Sequence, residues 1–264
     1  MANTALVWIR DDFRIQNNDA LTYASNKHDI VTAVFIFNSN IFDHKREAQK
    51  WWVSKSLENF KSDLKKLNIG LEIIKDDEIN FFSKIKSNSK ISVYWNKVYE
   101  PTELEKDKKI GTSFSKKNID FKFFKGNVLN EYNKITKNDG TPFKVYSPFW
   151  RNAEQFYLER LPDKINKVKK CKKINTLFKN QIKSEDILPK SDWYKKFEKY
   201  WVPSEQKAHE NLDNFLNKSI LNYGVDRDFP SIKGTSLLSP YIRNGQINVG
   251  DIWEKCKKLK SNNV

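Results

Sequence analysis

Short apolar runs alternate with amphipathic segments along the first half of the chain. The runs are rich in β-branched and aromatic residues, as buried strands are. They read TALVWIR, VTAVFIF, GLEIIK, ISVYW and IDFKFF, and they begin at Thr4, Val31, Gly70, Ile91 and Ile119. This alternation predicts an α/β domain over residues 1–130, with a doubly wound five-stranded parallel sheet covered by helices on both faces. Ligands of such sheets bind at the carboxyl ends of the strands.

The segment between the second and third runs has the clearest helical period. Its apolar positions recur at spacings of four and three, and they are Val53, Leu57, Phe60, Leu64 and Leu67. Asn68 and Gly70 follow as a stop signal, because both residue types tolerate the left-handed backbone that ends many helices. We therefore expect a helix that ends just before the third strand.

The pattern loosens over residues 131–203, which we interpret as a long interdomain crossover linker. It contains an Asp139-Gly140 turn, a predicted helix over Pro148–Leu161, and a lysine-rich connection over Lys164–Trp193. We expect these lysines to form a solvated face of the connection.

Helical periodicity returns over residues 204–264 and continues to the end of the chain. One predicted helical face collects Leu212, Phe215, Leu216 and Ile220. We interpret this region as the start of an all-helical domain.

Charge and cysteine content restrict the partner and the compartment. The 264 residues carry a formal net charge of +15, which favours a polyanionic partner such as nucleic acid. Of the 48 basic residues 41 are lysines, and many of these stand beside asparagine or isoleucine, so the alternative to a binding face is an AT-rich coding bias. Cys171 and Cys256 are far apart, which favours a reducing cytoplasm and argues against a disulfide framework or a zinc site. No apolar run approaches the length of a membrane span, and no secretory signal opens the chain.

The sequence lacks the common motifs of side-chain catalysis. It has no nucleophile elbow, no phosphate-binding P-loop, no dinucleotide fingerprint after the first strand, and no metalloprotease helix. His28, His44 and His209 stand alone, and isolated histidines are usually packing or surface residues. We therefore expect a bound cofactor to supply the chemistry of any enzyme built from this chain.

The stretch GTSLLSPYIR, which begins at Gly234, is a candidate anion site. Pro240 has no amide hydrogen, so we expect a helix to begin at Pro240 with Ser239 as its N-cap. Gly234–Leu238 would then be a loop whose amides and hydroxyls meet the positive end of a helix, an arrangement suited to phosphate. The alternative reading is a serine-capped helix that binds no ligand.

Four segments resemble the DNA photolyase and cryptochrome family in family order. YGVDRDFPSIKGTSLLSPYIRNGQI resembles the family's tyrosine, R-D-[FY]-P and G-T-S-[RK]-L-S-P-Y-L series at the opening of the helical flavin-binding domain. WIRDDFRIQNNDAL, YEPTELEKD and FKVYSPFWR resemble the family's N-terminal, Y-E-P-x-E and V-[YF]-[ST]-P-F segments. The resemblance spans essentially the whole chain.

The resemblance implies a flavin adenine dinucleotide (FAD) site. The residues it assigns to FAD, mainly around the phosphates, are Tyr223, Thr235, Ser236, Leu237, Leu238 and Ser239. Leu237 departs from the family's arginine or lysine, so FAD binding should be weaker than in the family. Arg227 matches a position that contacts DNA, and the alternative for its guanidinium is an ion pair with Asp226 or Asp228.

Two further assignments follow from the resemblance. Glu103 matches a glutamate that binds an antenna folate, 5,10-methenyltetrahydrofolate, although Thr102 replaces the asparagine of some members; the alternative is an exposed helical glutamate. Trp8 and Ile9 should be buried, and the polar side chains of Arg10, Asp12 and Arg14 should hold the first strand-to-helix turn without a catalytic role.

The implied activity is light-dependent repair of cyclobutane pyrimidine dimers in UV-damaged DNA, a carbon-carbon lyase reaction in which reduced FAD transfers an electron to the dimer. We expect a cytoplasmic monomer. The family's helical domain continues well beyond Val264, so we expect the chain to be a fragment, a truncated gene product or a remnant that binds FAD poorly and does not repair DNA alone. Two alternatives are a cryptochrome-type blue-light photoreceptor and a flavin-free α/β binding module.

Overall fold

A computed structural model describes residues 4–42, 47–86, 90–131, 134–158, 167–173, 177–178 and 181–262. All five predicted strands are present, and they form one parallel sheet in the order β3-β2-β1-β4-β5. The strands are β1 (Thr4–Ile9), β2 (Ile30–Phe37), β3 (Gly70–Lys75), β4 (Ile91–Asn96) and β5 (Phe121–Phe124). The predicted α/β fold with a five-stranded parallel sheet is therefore confirmed.

The helices of the described residues follow the predicted alternation. In the first half they are α1 (Asp19–Lys27), α2 (Ser39–Phe42), α3 (Glu47–Lys66), α4 (Glu78–Ser83) and α5 (Pro101–Lys116). In the second half they are α6 (Tyr146–Leu158), α7 (Glu205–Asn214), α8 (Tyr223–Asp226), α9 (Ser239–Arg243) and α10 (Val249–Asn262). Short 3₁₀ segments cover Ser184–Ile187 and Asp192–Lys199, and a π-helical turn covers Phe215–Ser219. Among these described helices, none is long and apolar enough to cross a bilayer.

Two apolar cores flank the sheet, because successive strand side chains point to opposite faces. The helices α1 and α3 cover one face, where Leu21, Leu57 and Phe60 are buried. The helices α4 and α5 cover the other face, where Phe82 and Phe114 are buried. The predicted helical stripe is thus confirmed as the buried side of α3. The turn after α3 uses Asn68 in the left-handed region, at a φ of 58°.

A third core joins the helical region to the α/β domain. Trp51 and Trp52 at the start of α3 contact residues of the second half of the chain, and Leu212 and Tyr241 are buried in the same cluster. The Trp52 and Tyr241 rings meet edge to face, 5.0 Å between centroids. Large aromatic side chains bury 150–250 Å² each, so these two tryptophans are major anchors of the helical region.

The lysine-rich connection packs more tightly than a solvated linker. The lysines of its described residues are exposed, but Val168, Cys171 and Ile187 are buried in the α1–α3 core. Gln181 forms an isolated antiparallel bridge with Ile74 of β3. The connection therefore covers part of the exposed edge of the sheet, which reduces the hazard of an unpaired edge strand.

Candidate functional site

The loop Gly234–Leu238 connects α8 to α9, and it lies directly against α8. A Cβ atom added to Gly234 would lie 2.5 Å from the Cβ of Asp226 and 2.8 Å from its carbonyl carbon. Only glycine permits this approach. Leu237 adopts a left-handed backbone with a φ of 54°, which is unusual for a non-glycine residue. These two residues give the loop its shape.

The start of the helix after this loop differs from the prediction. The amide of Ile242 donates to the carbonyl of Leu238 at 2.9 Å, so the first turn closes one residue earlier than expected. Leu238 is the N-cap and makes no side-chain capping bond. Ser239 is the first helical residue. The prediction of Ser239 as N-cap is wrong. Since α9 has only five residues, its dipole is small, and the loop itself must supply any donors to an anion.

The loop presents polar groups outward and one apolar anchor inward. Leu238 is 4% exposed and packs into the third core, whereas Thr235 and Ser239 are exposed and Ser236 is half-buried. Within the described part of the chain, the main-chain amides of residues 235–239 have no hydrogen-bond acceptor. Neighbouring amides and hydroxyls without acceptors can bind an anionic group such as phosphate.

Tyr223 and Arg227 lie together on the segment that precedes the loop. Tyr223 is 40% exposed and meets Phe215 edge to face, 5.4 Å between ring centroids. The Arg227 guanidinium lies 5.7 Å from the Tyr223 ring centroid, and its Nε atom lies 3.7 Å from a carboxylate oxygen of Asp228. Both members of that ion pair are exposed, and such pairs contribute little to stability. The Arg227 side chain therefore remains accessible to another anion.

An apolar surface around this site was not predicted from the sequence. Its exposed side chains fall within one short segment, and they are Leu221, Val225, Phe229, Ile232 and Leu237. Leu221 is 86% exposed, the largest fraction among these. Concentrations of exposed apolar side chains usually mark interaction surfaces. The one feature of the sequence that could have predicted this surface is that these apolar residues do not recur at helical spacing.

Glu103 lies on α5 within a network of ion pairs. Its carboxylate is 3.2 Å from Arg10 and 2.9 Å from the Lys106 ammonium, and its side chain is 18% exposed. Burial alone would raise the pKa of Glu103, but the hydrogen bond and charge of Lys106, with those of Arg10, bring it below its ordinary value. Glu103 is therefore a partnered, ionised carboxylate rather than an exposed helical residue.

A small cavity lies beside Glu103 at the carboxyl ends of β1 and β2. It has a volume of about 110 Å³ and is also lined by Trp8, Phe35 and Arg243. Ligand pockets usually have volumes of 300–1,000 Å³, so this cavity is too small for a folate in the conformation observed.

The polar residues after β1 support the turn as predicted. The amide of Arg10 donates to Asp12 at 2.9 Å, and Trp8 and Ile9 are buried. Their contacts also extend further than expected. Arg14 donates to the carbonyl of Gly245 at 2.9 Å, which ties the turn to the helical region.

The remaining predicted candidates have packing roles or lie elsewhere. His28 is buried against Tyr94, with 2.8 Å between Nε2 and the phenol oxygen, and His209 is half-buried, with its pKa lowered by burial. His44 lies outside the described residues. Cys171 and Cys256 are both free thiols, and no cluster of potential metal ligands occurs among the residues with described positions.

The chain is similar in sequence to proteins of known function. The family model for DNA photolyase matches residues 5–167, more than half of the chain. The chain belongs to the DNA photolyase family. A deoxyribodipyrimidine photo-lyase of Agrobacterium fabrum is 30% identical over 256 residues, which cover 96% of this chain and 53% of that protein. Cryptochrome-2 of Arabidopsis thaliana is 24% identical, over 98% of this chain and 44% of that protein.

A solved structure agrees with this family assignment. The crystal structure of a bacterial class III photolyase from Agrobacterium tumefaciens superposes with a TM-score of 0.87 at 29% identity, covering 99% of this chain and 54% of that chain. The chain thus spans about half the length of the relatives it matches. Members of this family bind FAD, and often a folate or another antenna chromophore.

Proposed function

We propose that the chain forms the α/β domain and the first part of the FAD-binding region of a light-dependent photolyase that repairs cyclobutane pyrimidine dimers. In this proposal the loop Gly234–Leu238 and the adjoining Ser239 bind the phosphates of FAD. The observation that carries it is the set of amides without acceptors and of exposed hydroxyls, within the described part of the chain, on a loop that only glycine at position 234 allows to lie against α8. The photolyase relative matched over 96% of the chain supports the same role.

The residues of the loop fit the phosphates of a dinucleotide. Unpaired amides of residues 235–239 can donate hydrogen bonds, and the hydroxyls of Thr235 and Ser239 are exposed beside them. Leu237 supplies no positive charge, which lowers the expected affinity without removing the donors. When bound, reduced FAD supplies a light-driven electron to the dimer. The side chains of the chain need only position the cofactor and the damaged strand, which agrees with the absence of acid-base motifs.

Arg227 is our candidate for a DNA contact. Its exposed guanidinium suits a backbone phosphate, and extrusion of a poorly stacked dimer costs less than extrusion of an intact base. Arg227→Ala should lower the magnitude of the slope of log K for DNA binding against log salt concentration by about one, because one phosphate contact is lost. Lys195→Ala removes an exposed lysine that is already paired with Asp192 and is the matched control. An equal change in both variants would count against a specific contact at Arg227.

An antenna folate at Glu103 remains a prediction. A ligand there would have to compete with Arg10 and Lys106 for the carboxylate and to enlarge the cavity beside it. A cytoplasmic, monomeric state likewise remains part of the proposal. Size-exclusion chromatography with light scattering tests the monomer, and cell fractionation tests the compartment.

The experiment that tests the proposal is FAD titration of the purified chain, followed by blue-light exposure with dimer-containing DNA. We expect weak binding and no repair by these 264 residues alone. Complete absence of FAD binding at saturating concentration would overturn the proposal in favour of a flavin-free α/β module. Stoichiometric FAD with efficient repair would contradict the expected inactivity of the chain. FAD binding by a longer natural product of the gene without dimer repair would favour the cryptochrome alternative, to which the Arabidopsis relative points.

A further inference from the structure

The two edges of the sheet differ in what covers them. At the β3 edge, Gln181 forms a bridge with Ile74, and the amide of Ile182 donates to the carbonyl of Ile73 at 2.9 Å. At the opposite edge, no described residue forms a backbone hydrogen bond with the outer side of β5. An uncovered edge strand presents a row of unpaired amides and carbonyls, with which another chain can pair.

The register of β5 identifies the backbone groups that point outward. The amide of Lys97 donates to the carbonyl of Phe124 at 3.0 Å, so Phe124 directs its backbone toward β4. Alternate residues of a strand serve the same neighbour, and the amides and carbonyls of Phe121 and Phe123 therefore point away from β4. Within the described part of the chain, these groups have no hydrogen-bond partner.

The side chains of the same two phenylalanines line a cavity beside the edge. It lies between α5 and β5 and has a volume of about 470 Å³. Phe121 stacks on the buried Trp95 ring, 5.8 Å between centroids, and Phe123 lies 5.8 Å from that ring and is 44% exposed. Side chains alternate between the two faces of a sheet, so every second side chain of a strand paired with β5 would point toward this cavity.

The charges around the cavity favour an acidic partner. The carboxylates of Asp107 and Glu131 line it, but each is already paired with a cation of the chain itself, at 3.0 Å and 2.6 Å. Lys108 of α5 lines the cavity and Lys122 lies on β5, and both are exposed. Neither lysine forms an ion pair with a described carboxylate. Two copies of this strand would place like charges side by side, which disfavours pairing of the chain with itself.

We propose that the β5 edge binds an extended acidic peptide segment of another protein, which adds a strand to the sheet. The peptide backbone pairs with Phe121 and Phe123, and one of its apolar side chains enters the cavity. Its carboxylates pair with Lys108 and Lys122. Main-chain hydrogen bonds supply affinity in this mode of recognition, and pockets for alternate side chains supply specificity. This inference uses no residue of the FAD loop, so it succeeds or fails independently of the proposed function.

The test measures binding of fluorescein-labelled peptides to the purified chain by fluorescence anisotropy. The probe is a peptide in which aspartate alternates with valine around one central phenylalanine, and we expect saturable 1:1 binding. A matched peptide with lysine in place of each aspartate should bind at least about tenfold more weakly. A third peptide carries proline at every second apolar position, and it should also bind weakly because proline has no amide hydrogen to donate.

Amide hydrogen exchange locates the bound peptide. Saturation with the acidic peptide should slow exchange at Phe121 and Phe123, whose amides point outward in the free protein. The amide of Lys122 faces β4 and should change little, so it is an internal control on the same strand. Only strand addition predicts this alternation along β5.

Substitutions on α5 test the cavity and the charge separately. Thr112→Trp, at an exposed position that lines the cavity, should weaken binding of the acidic peptide at least about tenfold by filling the space for its apolar side chain. Lys108→Glu should reduce the preference for the acidic over the lysine peptide. Lys109→Glu makes the same charge change at the next residue, which is paired with Glu105 and does not line the cavity, and it should reduce that preference less. Far-UV circular dichroism checks that each variant is folded.

Three results would overturn the proposal. They are failure of the acidic peptide to bind, binding that leaves exchange at Phe121 and Phe123 unchanged, and binding that resists Thr112→Trp. Slow exchange at these amides without peptide, together with a dimer in light scattering, would assign the edge to a second copy of the chain and would equally overturn it.

Discussion

Replacement of Leu237 by lysine should strengthen FAD binding by a predictable amount. Leu237 is 55% exposed, so the new ammonium would act through a water-like dielectric. At about 5 Å and 7 Å from two phosphate charges, the attraction is about 0.8 and 0.6 kcal/mol. Because the lysine stays exposed, we take the cost of ordering its side chain from the lower part of the range for binding interfaces, about 0.5–1 kcal/mol. The net gain of about 0.4–0.9 kcal/mol corresponds to about a two- to fivefold lower Kd.

Flavin fluorescence quenching at two ionic strengths measures this gain. Leu237→Gln is the control, because it introduces a polar side chain of similar reach without charge. The folded state should be equally stable in both variants, since lysine and glutamine, like leucine, have no branch at Cβ at the left-handed φ of 54°. The advantage of lysine should largely disappear at about 0.5 M salt, where the Debye length is only a few ångströms. Equal affinity of the two variants at low salt would refute the placement of phosphates at this loop.

Three other substitutions, two of them paired with a glycine control, test the local geometry. Gly234→Ala should weaken FAD binding at least about tenfold, or about 1.4 kcal/mol, whereas Gly224→Ala, with nothing within 4 Å of the new Cβ, should leave the titration unchanged. Gly245→Ala should lower the free energy of unfolding in urea by about 3 kcal/mol or more, because its φ is 63° and the new Cβ would meet a carbonyl oxygen at 1.9 Å. Gly140→Ala shares a positive φ without a neighbour and should cost only about 1 kcal/mol; equal losses at the two sites would contradict the close contact. Glu103→Gln should destabilise the fold by about 1 kcal/mol at pH 7, and the loss should shrink as pH falls below 4.5. A loss that is independent of pH would contradict the ion pairs of Glu103.

The sign of that pH dependence follows from the direction of the pKa shift. The folded-state pKa of Glu103 lies below its ordinary value of 4.5. The carboxylate therefore stabilises the folded chain above the unfolded-state pKa, and this contribution is lost as pH falls through the folded-state pKa. Below that pH the wild-type residue is neutral, as glutamine is, and the two proteins should converge in stability.

The sheet and α3 were predictable because their buried positions recur at regular intervals along the sequence. Fully buried parallel strands have continuous apolar runs, and the amphipathic stripe of α3 repeats every three or four residues. The stripe began at Val53, however, and gave no role to Trp51 and Trp52. Their aromatic partners Phe197, Trp201 and Tyr241 lie more than 140 residues away in sequence, and no local pattern encodes such contacts.

The connection and the loop show two other limits of local reasoning. The burial of Val168 and Ile187 was not predicted. These residues stand among many lysines, and buried positions have no regular spacing in a segment that lies across a sheet edge. The preference of serine for N-cap positions misplaced the start of α9 by one residue. The left-handed backbone of Leu237 turns the chain early enough for Leu238 to accept the first helical hydrogen bond.

Amide hydrogen exchange with and without saturating FAD tests the central claim most directly. The amides of residues 235–239 have no acceptor within the described chain, so they should exchange quickly in the free protein. The account predicts that FAD slows exchange at these amides, with a smaller effect or none across the sheet. Unchanged exchange in this loop, together with protection confined to the α/β domain, would contradict it.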